Sequence, residues 1–282
     1  MKLVRYTLDG KNFPGIIDFQ GGIRSLASVI DDICGDTLSE HYIEKLITTD
    51  INTLPKVPLT AKLLPCVANV SKFVCIGLNY VDHAKEAGRP IPDEPVIFMK
   101  ATSSISGPND DVLMPTNSTK SDWEVELGIV IGKRAKRIDR SESRSYIAGY
   151  CLVDDLSERS YQSERGGQWV KGKSLDTYGP IGPWLVTRDE IPDPHSLSIW
   201  QEIDGHRYQN GNTKNMIFDV DDIVCYVSQF MTLLPGDIIA TGTPAGVGLG
   251  QTPDKVFLRA GQTIHCGVDG LGEQLHKVVL DE

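Results

Sequence analysis

The sequence predicts a mixed α/β, sheet-rich protein: one large body with a small N-terminal annex. Three observations carry that prediction. From Pro65 onward, short apolar runs are cut by Gly and Pro at regular intervals, the texture of short strands joined by turns. One segment, residues 219–234, has the three-and-four apolar spacing of an amphipathic helix. The chain has 282 residues and a mass of 31.0 kDa, the size at which one hydrophobic core stops growing and an annex is added.

Taken in order, residues 1 to about 60 form the annex. Alternating stretches at 3–6 and 15–19 predict two or three strands, with turns at Asp9-Gly10 and Gly21-Gly22. Residues 40–48 predict a short helix. The run TLPKVPLTAKLLP, with Pro55, Pro58 and Pro65, reads as a linker, so the boundary falls between a small domain over 1–65 and the body over 66–282. In the body, VANVSKFVCIG, PVIFMK, WEVELGIVIG, YIAGYCLVDD, PWLVT, LSIWQEIDG, GDIIATGTP and TIHCGVDG predict strands. The helix starts at Asp219 as N-cap, with Asp221 and Asp222 in its first turn. Ile223, Val224, Val227, Phe230, Met231 and Leu234 form its apolar stripe, and Pro235-Gly236 ends it.

Composition narrows the function classes. Hydrophobic residues at 40% and charged residues at 23% exclude a mainly disordered chain. The 28 basic and 38 acidic residues leave a net charge of −10 without a basic stripe, which argues against nucleic acid and anionic membranes as partners. The one basic cluster, Lys133, Arg134, Lys136 and Arg137, reads as a solvated turn at a strand end. No run approaches the ~20 apolar residues of a membrane span, and MKLVRYTLDG lacks an apolar signal core, so a cytoplasmic protein is expected. Six cysteines without a CxxC pair predict reduced, buried thiols.

Several constellations can carry chemistry. In DWEVELGIVIG a strand puts Glu124 and Glu126 on one face and Val125 and Leu127 on the other. Two carboxylates this close repel unless a proton or cation lies between them; the solvent face of an edge strand is the alternative. A further acidic pair, Asp154-Asp155, ends an apolar strand. Hard oxygen ligands without His or Cys suit Mg²⁺, Mn²⁺ or Ca²⁺ over Zn²⁺, although a capped turn would use the same residues. In GLNYVDHAKEAG, His83 and Glu86 are neighbours on a helical turn, and a carboxylate beside an imidazole suits a general base; such pairs also occur on plain surfaces. His41, His195, His206, His265 and His276 have no such context. Lys173, in WVKGKSLDTYGP, could stabilise an enolate or carboxylate, or be solvated. The glycine-rich loop ATGTPAGVG, residues 240–248, could offer backbone N–H groups and Thr243 to an anion. It is not a phosphate loop, and no G-x-S-x-G elbow supports a serine hydrolase.

Together these pieces resemble the fumarylacetoacetate hydrolase family over about residues 66–280. GLNYVDHAKE, PVIFMKATSS, DWEVELGIVIG, GYCLVDDLSER, KGKSLDTYGPIGPW and GDIIATGTPAGVG occur in the family's order. The resemblance implies a mixed β-sandwich roll and a homodimer. It implies a divalent cation, Mg²⁺ with Mn²⁺ or Ca²⁺ as alternatives, on Glu124, Glu126 and Asp155. Asp155 is placed by a D-x-[ST]-x-R pattern ending at Arg159. It implies a water-activating His83–Glu86 dyad, a catalytic Lys173, and Gln162. Lys100, Gln162 and Thr243 are the candidates for holding the substrate. Where many members read T-A-R-D, this chain has Ser157, Glu158, Arg159 and Ser160. The stretch from Leu156 to Glu190 looks most like the bacterial 2,4-diketo-3-deoxy sugar acid (fuconate or rhamnonate) branch, whose members also carry a ureidoglycolate lyase label.

The implied reaction is hydrolysis of a C–C bond in a small diketo acid of the acylpyruvate type, giving pyruvate and a second carboxylic acid. Oxaloacetate decarboxylation or keto–enol isomerisation would use the same metal–enolate scaffold, but neither needs the activated water that His83–Glu86 suits. A non-catalytic binding protein would be expected to have lost the carboxylates or the dyad, and this chain retains both. Glu158, Ser160, Glu164, Arg165 and Gln168 are the polar groups expected to meet a polyol tail.

Overall fold

The computed structural model describes residues 1–281. Its centre is a strand pair whose every residue is buried, Val125–Ile131 against Ile147–Asp154, joined antiparallel with Val125 opposite Asp154 and Gly128 opposite Cys151. On the other side Val125–Ile131 pairs with Ile238–Ala240, which runs parallel to Phe73–Gly77; Val96–Lys100 closes that edge. The alternation predicted for DWEVELGIVIG is met here: Val125, Leu127 and Ile129 enter one core cluster, while Glu126 faces the opposite side. With partners on both sides, this is no edge strand.

The first strands belong to the same sheet. Lys2–Leu8 pairs antiparallel with Leu185–Thr187 of the body, and Lys11–Ile17 and Ile23–Ser25 follow it outward. Lys62–Leu63, inside the proline-rich stretch, pairs back onto Lys2–Leu8. The short helix forms over Glu40–Ile47. A second, five-stranded sheet runs in the order His206–Asn212, Ser198–Ile203, Thr263–Val268, Gly272–Asp281 and Val112–Pro115. It packs face to face on the first through Ile199, Cys266 and Val268, and the Val220–Phe230 helix covers the same core with Ile223, Val224 and Val227.

That helix begins as predicted and ends early. Asp219 accepts a bond from the Asp222 N–H, and the Asp222 carboxylate reaches back to the Asp219 N–H. The last turn is lost because Leu233 leaves the helix to exchange backbone hydrogen bonds with Ala135. Phe230, assigned by spacing to the buried stripe, is 64% exposed. The turn bearing Lys133, Arg134, Lys136 and Arg137 is exposed at all four, with Ala135 buried beneath. All six cysteines are free; Cys66, Cys75, Cys151 and Cys266 are buried, and Cys34 and Cys225 are half-buried. Among the described residues, no helix is long and apolar enough to cross a membrane.

Replacing Asp219 removes the cap and its contact with Arg140. Asp219→Ala is expected to lower unfolding stability by about 1 kcal/mol. A urea titration checks this, and an unchanged midpoint would show that the cap contributes nothing.

Candidate active site

Where the central strands end, their acidic residues meet. Glu124 immediately precedes Val125–Ile131, Asp155 immediately follows Ile147–Asp154, and the register aligns them so that the Asp155 N–H donates to the Glu124 carbonyl at 2.8 Å. Glu126 lies two residues along the same face. One oxygen from each of Glu124, Glu126 and Asp155 lies within 4.8 Å of the others, and all three residues are buried.

Cations answer part of this charge. The buried Lys173 ammonium donates to Glu124 Oε2 and Asp155 Oδ2, both at 2.7 Å. Arg159 donates from Nη1 to Glu124 Oε1 at 2.6 Å and from Nε to Asp122 Oδ2 at 2.7 Å. Burial opposes ionisation of Glu124, but Lys173, Arg159 and His83 outweigh it and hold its carboxyl below the ordinary range. Burial likewise works against the Lys173 ammonium, and Asp155 and Glu124 overcome it, raising its pKa. Glu126 is different. Its Oε2 accepts from the Gly242 N–H at 2.7 Å, and its Oε1 has no hydrogen-bond partner among the described residues. Burial and the neighbouring Asp155 and Glu124 push its pKa well up. A carboxylate on the cavity wall with an oxygen that has no donor among the described residues, beside two further carboxylates, is the ligand set a hard divalent cation would complete, so the residues fit the implied metal.

The dyad approaches from the helix Val81–Glu86. His83 Nδ1 lies 3.1 Å from Glu86 Oε2, and Glu86 Oε1 accepts from the Gly246 N–H at 2.9 Å. This contact needs glycine twice. Gly246 has φ +109°, and a Cβ there would lie 2.1 Å from the Tyr208 carbonyl oxygen; a Cβ on Gly250 would lie 2.2 Å from Glu86 Cδ. The glycine-rich loop therefore does bind anions, but they are the protein's own. Gly242 serves Glu126, Gly246 serves Glu86, and the N–H groups of Gly248 and Leu249 hold Asp122 at 2.7 and 2.9 Å.

A cavity of about 490 Å³ joins these groups, lined by His83, Glu86, Glu124, Glu126, Arg159, Gln162, Lys173 and Thr243. Its outer wall is Phe98 and Trp169, which meet edge to face at 5.2 Å. Arg89 and Lys255 stand at its rim, without a carboxylate partner among the described residues. Two of the expected substrate contacts are altered by their surroundings. Lys100 is buried and does not line the cavity: its ammonium lies behind Asp155, bonded to Oδ1 at 2.5 Å and to the Leu156 carbonyl at 3.0 Å. Thr243 lines the cavity, but its hydroxyl donates to the Val125 carbonyl and accepts from Gln209 Nε2. Gln162 takes a bond from Arg159 Nη1 at 3.2 Å. The residues expected to meet a polyol tail, Glu158, Ser160, Glu164, Arg165 and Gln168, do not line the cavity. Glu158 is buried against Ser118, Lys120 and Ser160, Glu164 pairs with Lys120, and Arg165 lies over the Tyr161 ring.

Sequence reasoning missed Asp122, Asn79 and the role of Arg159. Asp122 continues the alternation of Glu124 and Glu126 backward by two, a signal that was available. Asn79 is buried and ties Thr241 to Phe218. Arg159 served only to anchor a pattern, yet its buried Nη2 has no partner among the described residues.

The chain matches the family described as "Fumarylacetoacetate (FAA) hydrolase C-terminal" over residues 72–279. It is 57% identical over 277 residues, 98% of each chain, to a protein of Burkholderia cenocepacia (strain HI2424) provisionally named a hydrolase. Among solved structures it resembles the fumarylacetoacetate hydrolase of Exiguobacterium antarcticum, with TM-score 0.87, 33% identity and full coverage of both chains. It also resembles the maleylpyruvate hydrolase of Sphingobium sp. SYK-6, solved with manganese(II) and pyruvate, with TM-score 0.83, 27% identity and full coverage of both.

Asp154 lies beside this cluster, and burial pushes its pKa up to about 7. It accepts from the Glu124 N–H and from Gln201 Nε2, while Gln201 Oε1 has no partner among the described residues. Because the folded pKa exceeds the unfolded value of 3.8, the native state holds the extra proton between those values, and stability falls as pH rises through that window. In metal-free protein, Asp154→Asn is expected to flatten this decline. Urea midpoints of both proteins from pH 4.5 to 7.5 test it, and parallel pH profiles would refute it.

Proposed function

The chain belongs to the fumarylacetoacetate hydrolase family, and from that membership and its cavity we propose that it is a metal-dependent hydrolase of C–C bonds in acylpyruvate-type diketo acids. One observation carries the reading: the His83–Glu86 pair lines the same cavity as Glu124 and Glu126, whose carboxylates lie within 4.8 Å of that of the buried Asp155. A bound divalent cation supplies Lewis-acid polarisation of the substrate's 2-oxo group and charge for the enolate that leaves. With Nδ1 held by Glu86, His83 keeps Nε2 as a base that takes a proton from water as its oxygen attacks the C4 carbonyl. The C3–C4 bond then breaks, the C4 fragment leaves as a carboxylic acid, and the pyruvate enolate takes up a proton. The Lys173 ammonium steadies the negative charge developing on that enolate. On this reading Arg159 and Gln162, both on the cavity wall, hold the substrate carboxylate. Arg89 and Lys255 at the rim favour the approach of an anion.

The finer assignment is a 2,4-diketo-3-deoxy sugar acid. It is supported by the resemblance of residues 156–190 and by Gln162 and Ser163, the uncharged polar side chains on that part of the cavity wall.

Two measurements test these statements. His83→Ala is expected to lose hydrolysis by about 10²–10⁴-fold while still binding metal and oxalate; loss of oxalate binding would make His83 a binding residue instead. With metal-supplemented protein, kcat/KM for pyruvate formation is expected to be highest for a 2,4-diketo-3-deoxy fuconate or rhamnonate, lower for acetylpyruvate and lowest for oxaloacetate. Oxaloacetate ahead of both would overturn the hydrolase reading. Acetylpyruvate ahead of the sugar acid would remove only the finer assignment.

A further inference from the structure

Asp122 has no exposed surface and does not line the cavity, yet it bonds to two residues that do, Arg159 and Leu249. Its Oδ2 accepts from Arg159 Nε at 2.7 Å and from the Leu249 N–H at 2.9 Å. Its Oδ1 accepts from the Gly248 N–H at 2.7 Å and from the Trp123 N–H at 2.9 Å. Backbone pairing brings Arg159 there. Ser121–Asp122 runs antiparallel to Ser157–Glu158 with Asp122 opposite Ser157, so Arg159 follows two residues after the strand partner. The loop comes within reach because Gly248 has no side chain: a Cβ there would lie 2.7 Å from Asp122 Oδ1 and 1.9 Å from the Val256 carbonyl oxygen.

Each side of Asp122 leads to a different half of the reacting groups. Arg159 Nη1 donates to Glu124 Oε1 and to Gln162 Oε1. The loop touches Glu86 on either side of Gly248, through the Gly246 N–H and through Gly250, where a Cβ would lie 2.2 Å from Glu86 Cδ. We infer that Asp122 is a positioning residue: by tying Arg159 and residues 248–249 to one carboxylate, it sets where the His83–Glu86 pair stands relative to the Glu124, Glu126 and Asp155 cluster. The inference rests on reading the cavity as a hydrolase site. Only an ionised carboxylate serves here. It offers two acceptor oxygens to the four donors, and its charge orients the guanidinium, whereas asparagine must turn its NH₂ either to Arg159 and Leu249 or to Gly248 and Trp123, donor against donor. Water at His83 attacks productively only when the base and the held substrate keep one spacing, and a small misplacement costs as much as about 10²-fold in rate.

The test compares Asp122→Asn with wild type at saturating Mg²⁺, by calorimetric oxalate affinity and by kcat for pyruvate release from acetylpyruvate. The variant is expected to bind oxalate about tenfold more weakly, because Arg159 is no longer oriented, and to lose about 10- to 100-fold in kcat, because Glu86 and His83 shift. In an Arg159→Lys background the same substitution is expected to leave oxalate affinity unchanged, since Asp122 acts on it through Arg159. A role in stability alone would move neither value in folded protein, and circular dichroism establishes folding. Should Asp122→Asn not fold, Asp122→Glu, which keeps the charge but moves it by one methylene, is expected to show the same two losses. A folded variant with either value unchanged, an oxalate loss that recurs in full in the Arg159→Lys background, or failure of both variants to fold overturns the inference and leaves the hydrolase reading standing. Wild type that releases no pyruvate removes that reading and the inference with it.

Discussion

Backbone amides of one loop, residues 242–249, hold three of the protein's buried or half-buried carboxylates, and the rest of the site depends on those bonds. Amides are neutral, so they orient Glu126 and Glu86 without cancelling their charge, while Asp122 is also paired with Arg159. Lysine or arginine in their place would quench the negative field that the cavity needs. The loop can approach this closely because it follows Ile238–Ala240, a strand paired on both sides in the sheet centre, and because Asn79 and Gln209 tie its carbonyls and Thr243 in place. Trp123 adds a bond from Nε1 to the Gly246 carbonyl.

The division of labour among charged groups follows from this. Arg159 and Lys173 neutralise Glu124 and part of Asp155, while Glu126 is left without a cation of its own. A cluster with every acid paired would be inert, and one with none paired would protonate or resist folding. The observed arrangement lies between the two: ionisation of Glu124 is favoured and that of Glu126 opposed, within one group of contacting side chains.

Much of this was legible in the sequence, and the limits have physical causes. Period-two alternation put Glu124 and Glu126 on one face, and helical spacing put His83 beside Glu86, because both are properties of a local backbone. That Asp155 lies across from Glu124 is a matter of register between strands some thirty residues apart, which only the order of motifs suggested. For Lys100 the sequence offers only a lysine closing the run PVIFMK; which side of Asp155 it occupies is decided by tertiary packing. The loop amides left no trace in side-chain chemistry except their glycines. Phe230 followed the helical stripe faithfully, but the helix ended beneath it when Leu233 found a partner in Ala135.

The outer wall comes from a different piece of chain than the loop amides that hold Glu126 and Glu86. Trp169 comes from the segment after Gly166 and Gly167, both in left-handed backbone at φ +81° and +73°, and that segment forms none of the amide-to-carboxylate bonds made by residues 242–249. Lys173 ends the short helix Val170–Lys173 that Trp169 opens, so one reacting group shares its piece of chain with the wall. Residues 163–168 can reshape what the cavity admits only where the start of that helix, and with it the Lys173 ammonium, stays in place.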